Sequence, residues 1–139
     1  METNTMYYKV RKCTEPGVKG GGKVMYCATI APKETLTIRD FAIWSEKKGT
    51  ATESDILAVF YDQINYIETF CPKGHTIDFS DLGTYFPSMF SKAVDSPKEV
   101  TPKTIKGVKF RYRLSKRLKK AAQSIVFKKA SKKALKQNT

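Results

Sequence analysis

Hydrophobic and polar positions alternate most regularly between Ile105 and Leu114. The apolar positions are Val108, Phe110, Tyr112 and Leu114, and the positions between them are Gly107, Lys109, Arg111 and Arg113. Because successive side chains of a strand point to opposite faces, this pattern predicts a strand with one apolar and one cationic face. Residues on one face repeat about every 6.6 Å, which is of the order of the phosphate spacing along a nucleic-acid strand. A half-buried antiparallel strand with a basic outer face explains the alternation equally well.

Two helices are predicted before this strand from apolar residues at three-and-four spacing. The first begins at Thr37, where Asp40 completes a capping-box pattern, and ends near Gly49. The second begins at Thr52, with Asp55 in the equivalent position. Its apolar stripe contains Ile56, Val59, Phe60, Ile64, Ile67, Phe70 and Cys71.

The second helix carries more apolar surface than one stripe requires. Leu57, Tyr61 and Tyr66 lie outside the main stripe. A helix that is apolar on more than one side needs more than one packing partner, so we expect it to contribute to a dimer interface. Burial beneath a sheet of the same chain is the alternative.

Several shorter segments have strand patterns. Residues 6–10 and 24–30 are β-prone, and they would pair as a hairpin with a long loop that contains three consecutive glycines, residues 20–22. No Lys-Ser or Lys-Thr pair follows these glycines, so a flexible connection is favoured over a phosphate-binding loop. Residues 76–80 and 81–86 form two further strand segments, and a proline follows at position 87, which predicts a sheet edge or an interruption.

The segments around the basic strand differ in character. Residues 91–104 predict a projecting connection that contains two prolines. Ser115 is a candidate cap for a final helix, whose apolar side is Leu118, Ala121, Ala122, Ile125 and Val126. From Lys128 onward, paired lysines predict a frayed basic tail. The predicted organisation is a strand pair with its loop over residues 1–35, a domain over residues 36–127 and a tail over residues 128–139.

Charge is distributed very unevenly along the 139 residues, whose formal net charge is +13. Residues 1–100 have 12 Lys or Arg and 13 Asp or Glu, whereas residues 101–139 have 14 Lys or Arg and no acid. Such a block attracts a polyanion and predicts strongly salt-dependent binding. A solvated basic tail is the alternative, but it does not by itself explain cations that alternate along a strand.

Other functional classes have little support in the sequence. We expect no membrane span and no signal peptide, and therefore a cytoplasmic protein. Three widely separated cysteines, Cys13, Cys27 and Cys71, predict reduced thiols rather than a disulfide framework or a metal site. The single histidine, His75, has no matched ligand or nucleophile nearby. We therefore expect no catalytic residues, no metal site, no cofactor and no small-molecule substrate.

The order of elements, together with two motifs, resembles the bacterial histone-like HU/IHF family of DNA-binding proteins. Leu82-Gly83-Thr84-Tyr85 resembles the family's Gly-Phe-Gly-Thr-Phe turn, and residues 105–120 resemble its return strand and the start of its last helix. The strand at residues 26–30, before the first helix, is similar to the divergent HU-like branch of Bacteroides-type bacteria. The resemblance covers roughly residues 24–125.

This resemblance implies an α+β fold with a helical base, an antiparallel β-sheet and a β-ribbon arm, to which this chain adds an N-terminal β-hairpin and a short C-terminal helix. It also implies a homodimer, located at the nucleoid, that binds double-stranded DNA with low sequence specificity and stabilises bent DNA. The implied DNA-binding residues are Lys92, Lys98, Lys103, Lys106, Lys109, Arg111, Arg113, Lys116, Arg117, Lys119 and Lys120.

The chain departs from the family pattern at the arm tip. The family's Arg-x-Asn-Pro sequence, whose proline wedges between base pairs, is absent here. Pro97 or Pro102 would have to replace it, but a structural turn proline is the favoured interpretation of both. The alternative function is therefore a structural or interaction protein with an HU-like fold, whose basic tail binds RNA, an acidic protein or an anionic lipid.

Overall fold

The chain folds as two units, described for residues 4–131 in a computed structural model. The central unit comprises residues 37–120, and the terminal unit combines residues 1–36 with residues 121–139. The helices are α1 (Ile38–Glu46), α2 (Glu53–Phe70) and α3 (Lys116–Gln123). The strands are β1 (Thr5–Thr14), β2 (Val24–Ile30), β3 (Ile77–Asp78), β4 (Gly83–Ser91), β5 (Ile105–Leu114) and β6 (Val126–Lys129). The described residues therefore form a mixed α+β structure with three helices and two small sheets.

Helices α1 and α2 begin where their capping boxes predict. Asp40 N–H donates to Thr37 Oγ1 at 3.3 Å, and the Asp40 carboxylate accepts from Thr37 N–H at 2.8 Å. The same reciprocal pair joins Thr52 and Asp55, at 3.3 Å and 3.1 Å. Backbone and side-chain hydrogen bonds from Thr37 lower the pKa of Asp40, and those from the Thr52 side chain and backbone lower the pKa of Asp55. Both predicted helix starts are confirmed.

The central unit contains an antiparallel sheet in the order β3-β4-β5. Strand β4 lies opposite β5 along its length, with Gly83 facing Leu114 and Phe86 facing Arg111. Strand β3 is only two residues long and pairs with Thr84 and Tyr85. Pro87 lies beyond β3, on an edge of β4 that is open at that point, which is where a residue without an N–H group is tolerated.

The β4–β5 ladder contains one irregularity, at the end nearest the connection. Phe90 faces Gly107, but Ser91 faces Ile105, so Lys106 is an extra residue without a partner on β4. An insertion of this kind is a β-bulge, which bends the strand and re-aims its side chains. Lys106 therefore does not follow the alternation that places the other β5 cations.

The terminal unit contains a sheet in the order β2-β1-β6. Strands β1 and β2 pair antiparallel, and β6 adds to the other edge of β1 in parallel register, with Met6 beside Phe127. The sequence predicted neither β6 nor this pairing. Val126 was expected on the final helix, and Lys128 was expected to begin a frayed tail, but both lie in β6. A four-residue strand whose partner is more than 100 residues away has too weak a local pattern to be recognised.

The cysteines also differ from the sequence prediction. Cys13 and Cys27 form a disulfide between β1 and β2, whereas Cys71 is free and buried. The hairpin register brings them together, because Cys13 faces Met25 and Cys27 faces Arg11 on the neighbouring strand. The prediction of reduced thiols was therefore wrong for this pair, since it weighed spacing along the chain and not strand register.

Few hydrophobic side chains are fully buried in the described residues. They are Ala42, Cys71 and Ile77. Helix α2 contains none, and Val59, Tyr61 and Tyr66 on α2 are at least half exposed. A long helix normally buries an apolar face, so α2 has apolar surface that the single chain does not cover.

Candidate nucleic-acid interface

The structure brings all eleven sequence-predicted cations into the central unit, and each is exposed. Residues 81–120, which contain them, have only three acids, Asp81, Asp95 and Glu99. Four of the cations lie on β5, four lie on α3, and three lie in the connection between β4 and β5. The strand end, the helix start and the connection therefore form a strongly cationic part of the unit.

Strand β5 presents Lys109, Arg111 and Arg113 on one face, as its alternation predicts. The facing residues of β4 on this side include Phe86, opposite Arg111, and Phe90, opposite Gly107. The Arg113 guanidinium lies 4.9 Å from the centre of the Phe86 ring, and this cation–π contact orients the side chain. Phe86 and Phe90 thus lie on β4 beside the cations of β5, and we call these two rings the aromatic base of the cationic face.

Phe90 has a similar relation to its neighbours. Lys109 Nζ lies 5.6 Å from the centre of the Phe90 ring. A Cβ atom at Gly107 would lie 3.1 Å from Phe90 Cζ, so the ring sits over the glycine. Sequence reasoning missed Phe86 and Phe90, because apolar residues occupy both faces of β4 and its alternation does not identify the cationic side.

The turn before β4 anchors the start of α3. Ser115 Oγ accepts from Leu118 N–H at 3.2 Å and donates to the Asp81 carbonyl oxygen. Arg117 also forms a 3.5 Å ion pair with the Asp81 carboxylate. The predicted cap at Ser115 is confirmed. This exposed pair partly neutralises Arg117, whereas Lys116, Lys119 and Lys120 form no ion pair with an acid of the described residues.

The connection between β4 and β5 contains two short 3-10 turns. Pro97 begins one and Pro102 begins the other, with Lys98 and Lys103 directly after them. A hydrogen bond from Lys92 N–H to the Thr104 carbonyl oxygen, 2.8 Å long, closes the base of the connection. Both prolines therefore have the turn role that the sequence favoured.

The remaining chemistry of the described residues is limited. Within residues 4–131, His, Cys, Asp and Glu side chains do not form a group of three that would hold a metal ion. The helices of this same part of the chain are too short or too polar to cross a membrane. His75 packs its ring against Phe70, with the ring centres 5.7 Å apart.

Most of the chain matches a known protein family. A family model described as an HU domain fused to wHTH, Ig, or Glycine-rich motif matches residues 5–129. The chain belongs to this HU-HIG family. No curated protein matches it.

A solved structure shares the fold of the HU-HIG chain. It is described as a "Putative bacterial DNA binding protein from Bacteroides vulgatus ATCC 8482". The TM-score is 0.62 and the identity 8%, and the match covers 92% of this chain. It covers 49% of the other chain, so the HU-HIG chain spans about half the length of that protein. The HU-like, Bacteroides-type resemblance inferred from the sequence is confirmed at the level of family and fold.

Proposed function

We propose that this HU-HIG chain is an architectural protein that binds duplex DNA with low sequence specificity, as a homodimer. The observation that carries the proposal is the cationic face of β5, where Lys109, Arg111 and Arg113 lie side by side on an aromatic base. The Bacteroides vulgatus protein that shares the fold, which is described as a putative DNA-binding protein, supports the proposal. A cytoplasmic location at the nucleoid follows from this role.

The binding mode follows from the spacing and the chemistry of this face. Side chains two residues apart on β5 are about 6.6 Å apart, so neighbouring cations would contact neighbouring phosphates. Phosphate contacts fix position without reading sequence, which accounts for low specificity. The cation–π contacts of the Lys109 ammonium with Phe90 and of the Arg113 guanidinium with Phe86 restrict these two side chains, so less side-chain entropy is lost when a phosphate binds.

Helix α3 and the connection would extend the same contact. Lys116, Lys119 and Lys120 follow β5 directly, and cations in the first turn of a helix oppose its dipole. A bound phosphate would relieve this unfavourable charge. The connection between β4 and β5 and the adjoining bulge would add four more phosphate contacts, from Lys92, Lys98, Lys103 and Lys106.

The homodimer is supported by surface that one chain leaves uncovered. Helix α2 contains no buried residue, and Val59, Tyr61 and Tyr66 on it are exposed. A second copy that packs against α2 would bury these side chains, at about 25 cal/mol for each Å² of apolar surface. A symmetric pair of basic faces would also follow from a two-fold dimer.

The decisive experiment measures duplex binding across a salt series with the Arg111→Glu/Arg113→Glu variant. We expect a loss of about 100-fold or more, since each charged hydrogen bond contributes about 1.5 kcal/mol or more. The matched control is Lys47→Glu/Lys73→Glu, which makes the same charge change on exposed positions of the central unit outside the interface. Circular dichroism checks that both variants remain folded.

Two results would refute the proposal. The first is no binding of the unmodified chain to duplex DNA at low salt. The second is equal binding by the Arg111/Arg113 variant and its control. Bent, nicked and linear duplexes in the same titration test the architectural role, because a protein that stabilises bent DNA prefers the first two.

The alternative is an interaction protein that retains the HU-like fold without duplex binding. It is favoured by one observation, the absence of an arm-tip wedge, since Pro97 and Pro102 both begin 3-10 turns. Its proposed contact is the basic tail from Lys128, most of which lies outside the described residues. Competition between duplex DNA, RNA and anionic vesicles at moderate salt separates the two functions.

A further inference from the structure

The sheet of the terminal unit has two chemically different faces. One face, which we call the apolar face, carries mostly apolar side chains together with two lysines; its members include Met6, Tyr8, Val10, Tyr26, Ile30 and Phe127 as well as Lys12 and Lys129. The opposite face carries Tyr7, Lys9 and Arg11 from β1. Strand β6 adds Lys128 to this second face, because its register sets Lys128 directly beside Tyr7. We call the set Tyr7, Lys9, Arg11 and Lys128 the terminal basic face.

A further cation lies next to this face. Lys33, just after β2, has its Nζ 5.9 Å from the centre of the Tyr7 ring. Tyr7 is 40% exposed, and Lys9, Arg11 and Lys128 are exposed. Cations from three separate segments of the chain therefore lie on this face or next to it, an arrangement that depends on β6 joining the sheet.

Nothing on the three strands neutralises these cations. Strands β1, β2 and β6 contain no acidic residue, and none of the four cations forms an ion pair with an acid of the described residues. In the described part of the terminal unit, eight Lys or Arg accompany two acids, Glu15 and Glu34. Like charges on adjacent strands repel one another, so the face is suited to an anionic partner that spans it.

We propose that the terminal basic face is a second phosphate-binding surface, which binds the backbone of duplex DNA. Lys9 and Arg11 are two residues apart on β1, so their spacing of about 6.6 Å suits consecutive phosphates. Lys128 extends the contact across the sheet. The inference rests on the proposed function, because it requires duplex DNA as the ligand.

The chain offers an unusually close control for this surface. Arg11 and Lys12 are neighbours in β1, and Lys128 and Lys129 are neighbours in β6. Arg11 and Lys128 lie on the terminal basic face, whereas Lys12 and Lys129 lie on the apolar face. The double substitutions Arg11→Ala/Lys128→Ala and Lys12→Ala/Lys129→Ala therefore remove the same charge from the same strands, on opposite faces.

The experiment measures binding of the full chain to a long duplex as a function of salt. Each phosphate contact contributes about 0.9 to the slope of log K against log salt, so Arg11→Ala/Lys128→Ala should make the slope shallower by about 1.8. The Lys12/Lys129 control should leave the slope unchanged. The exchange variant Arg11→Lys/Lys128→Arg, which keeps both charges, should restore the slope of the unmodified chain.

The outcomes separate this inference from the proposed function. Equal slopes for the Arg11/Lys128 variant and the Lys12/Lys129 control would overturn the inference, even where Arg111→Glu/Arg113→Glu still abolishes binding. If Arg11→Ala/Lys128→Ala weakened binding to RNA or to polyglutamate but left duplex binding unchanged, the choice of duplex DNA as the ligand would be overturned. Absence of duplex binding by the unmodified chain would refute the proposed function first.

Discussion

Gly83 occupies a position where even one added methyl group should disrupt the central unit. Its backbone has φ +132° and ψ −173°, a region open essentially only to glycine. A Cβ atom there would lie 2.6 Å from the Arg113 carbonyl oxygen and 2.7 Å from the Tyr112 hydroxyl, and closer still to the Tyr112 ring. The substitution Gly83→Ala therefore combines backbone strain with overlap against β5.

The cost can be worked from these two effects. Strain in a rare backbone region costs about 1–3 kcal/mol, and overpacking against neighbours that cannot move costs about 1–3 kcal/mol. We therefore expect Gly83→Ala to reduce the free energy of unfolding by about 2–6 kcal/mol. For a unit of this size, the midpoint of thermal unfolding should fall by about 10 °C or more.

Thermal and urea denaturation at fixed protein concentration measures the effect. Gly49→Ala is the matched control, because its Cβ would come no closer than 3.9 Å to the Ser45 carbonyl oxygen and its φ is not positive. We expect this control to change stability by less than about 1 kcal/mol. Equal midpoints for the two variants would refute the claim that Gly83 is required by its conformation and its contacts.

Three further predictions concern the caps, the disulfide and the dimer. The lowered pKa values of Asp40 and Asp55 give stability that is present above their unfolded value of 3.8 and is lost as pH falls through the folded values. The variant Asp40→Asn/Asp55→Asn should therefore lose less stability than the unmodified chain as pH falls, and an equal loss would contradict this. Reduction of the Cys13–Cys27 disulfide should destabilise the β1–β2 pair by up to about 3 kcal/mol. Amide hydrogen exchange in those two strands should then be faster with reductant than without, and equal exchange rates would count against a stabilising role of the disulfide. Val59→Asp should lower the solution mass to that of one 15.7 kDa chain, whereas the control Val18→Asp, in the β1–β2 connection, should leave the mass unchanged. An unaltered mass for Val59→Asp would exclude α2 from the interface.

Features that depend on neighbouring residues were predictable from the sequence. Each capping box involves two residues three positions apart, so Thr37 and Thr52 identify their helices without any knowledge of the fold. The alternation of β5 likewise follows from the geometry of a single strand, and it identified Lys109, Arg111 and Arg113 as one face.

Features that depend on register between distant segments were not predictable. The disulfide, strand β6 and the aromatic base of the cationic face all require knowledge of which residues lie opposite one another. Phe86 could be assigned to the cationic side only through its pairing with Arg111, 25 residues later in the chain. Residues 1–100 also have a near-zero net charge, which concealed the basic terminal unit because most of the acids lie elsewhere in that range.

The parallel pairing of β1 with β6 has a consequence for the order of folding. Strands β1 and β2 are joined by residues 15–23 alone and can pair early, whereas Tyr8 and Lys129 must meet across more than 100 intervening residues. From an unstructured chain, closing that longer loop costs about 2 kcal/mol more than closing the hairpin. The third strand should therefore join last, after the residues between have become compact, and its amide protons should be among the last to gain protection during refolding.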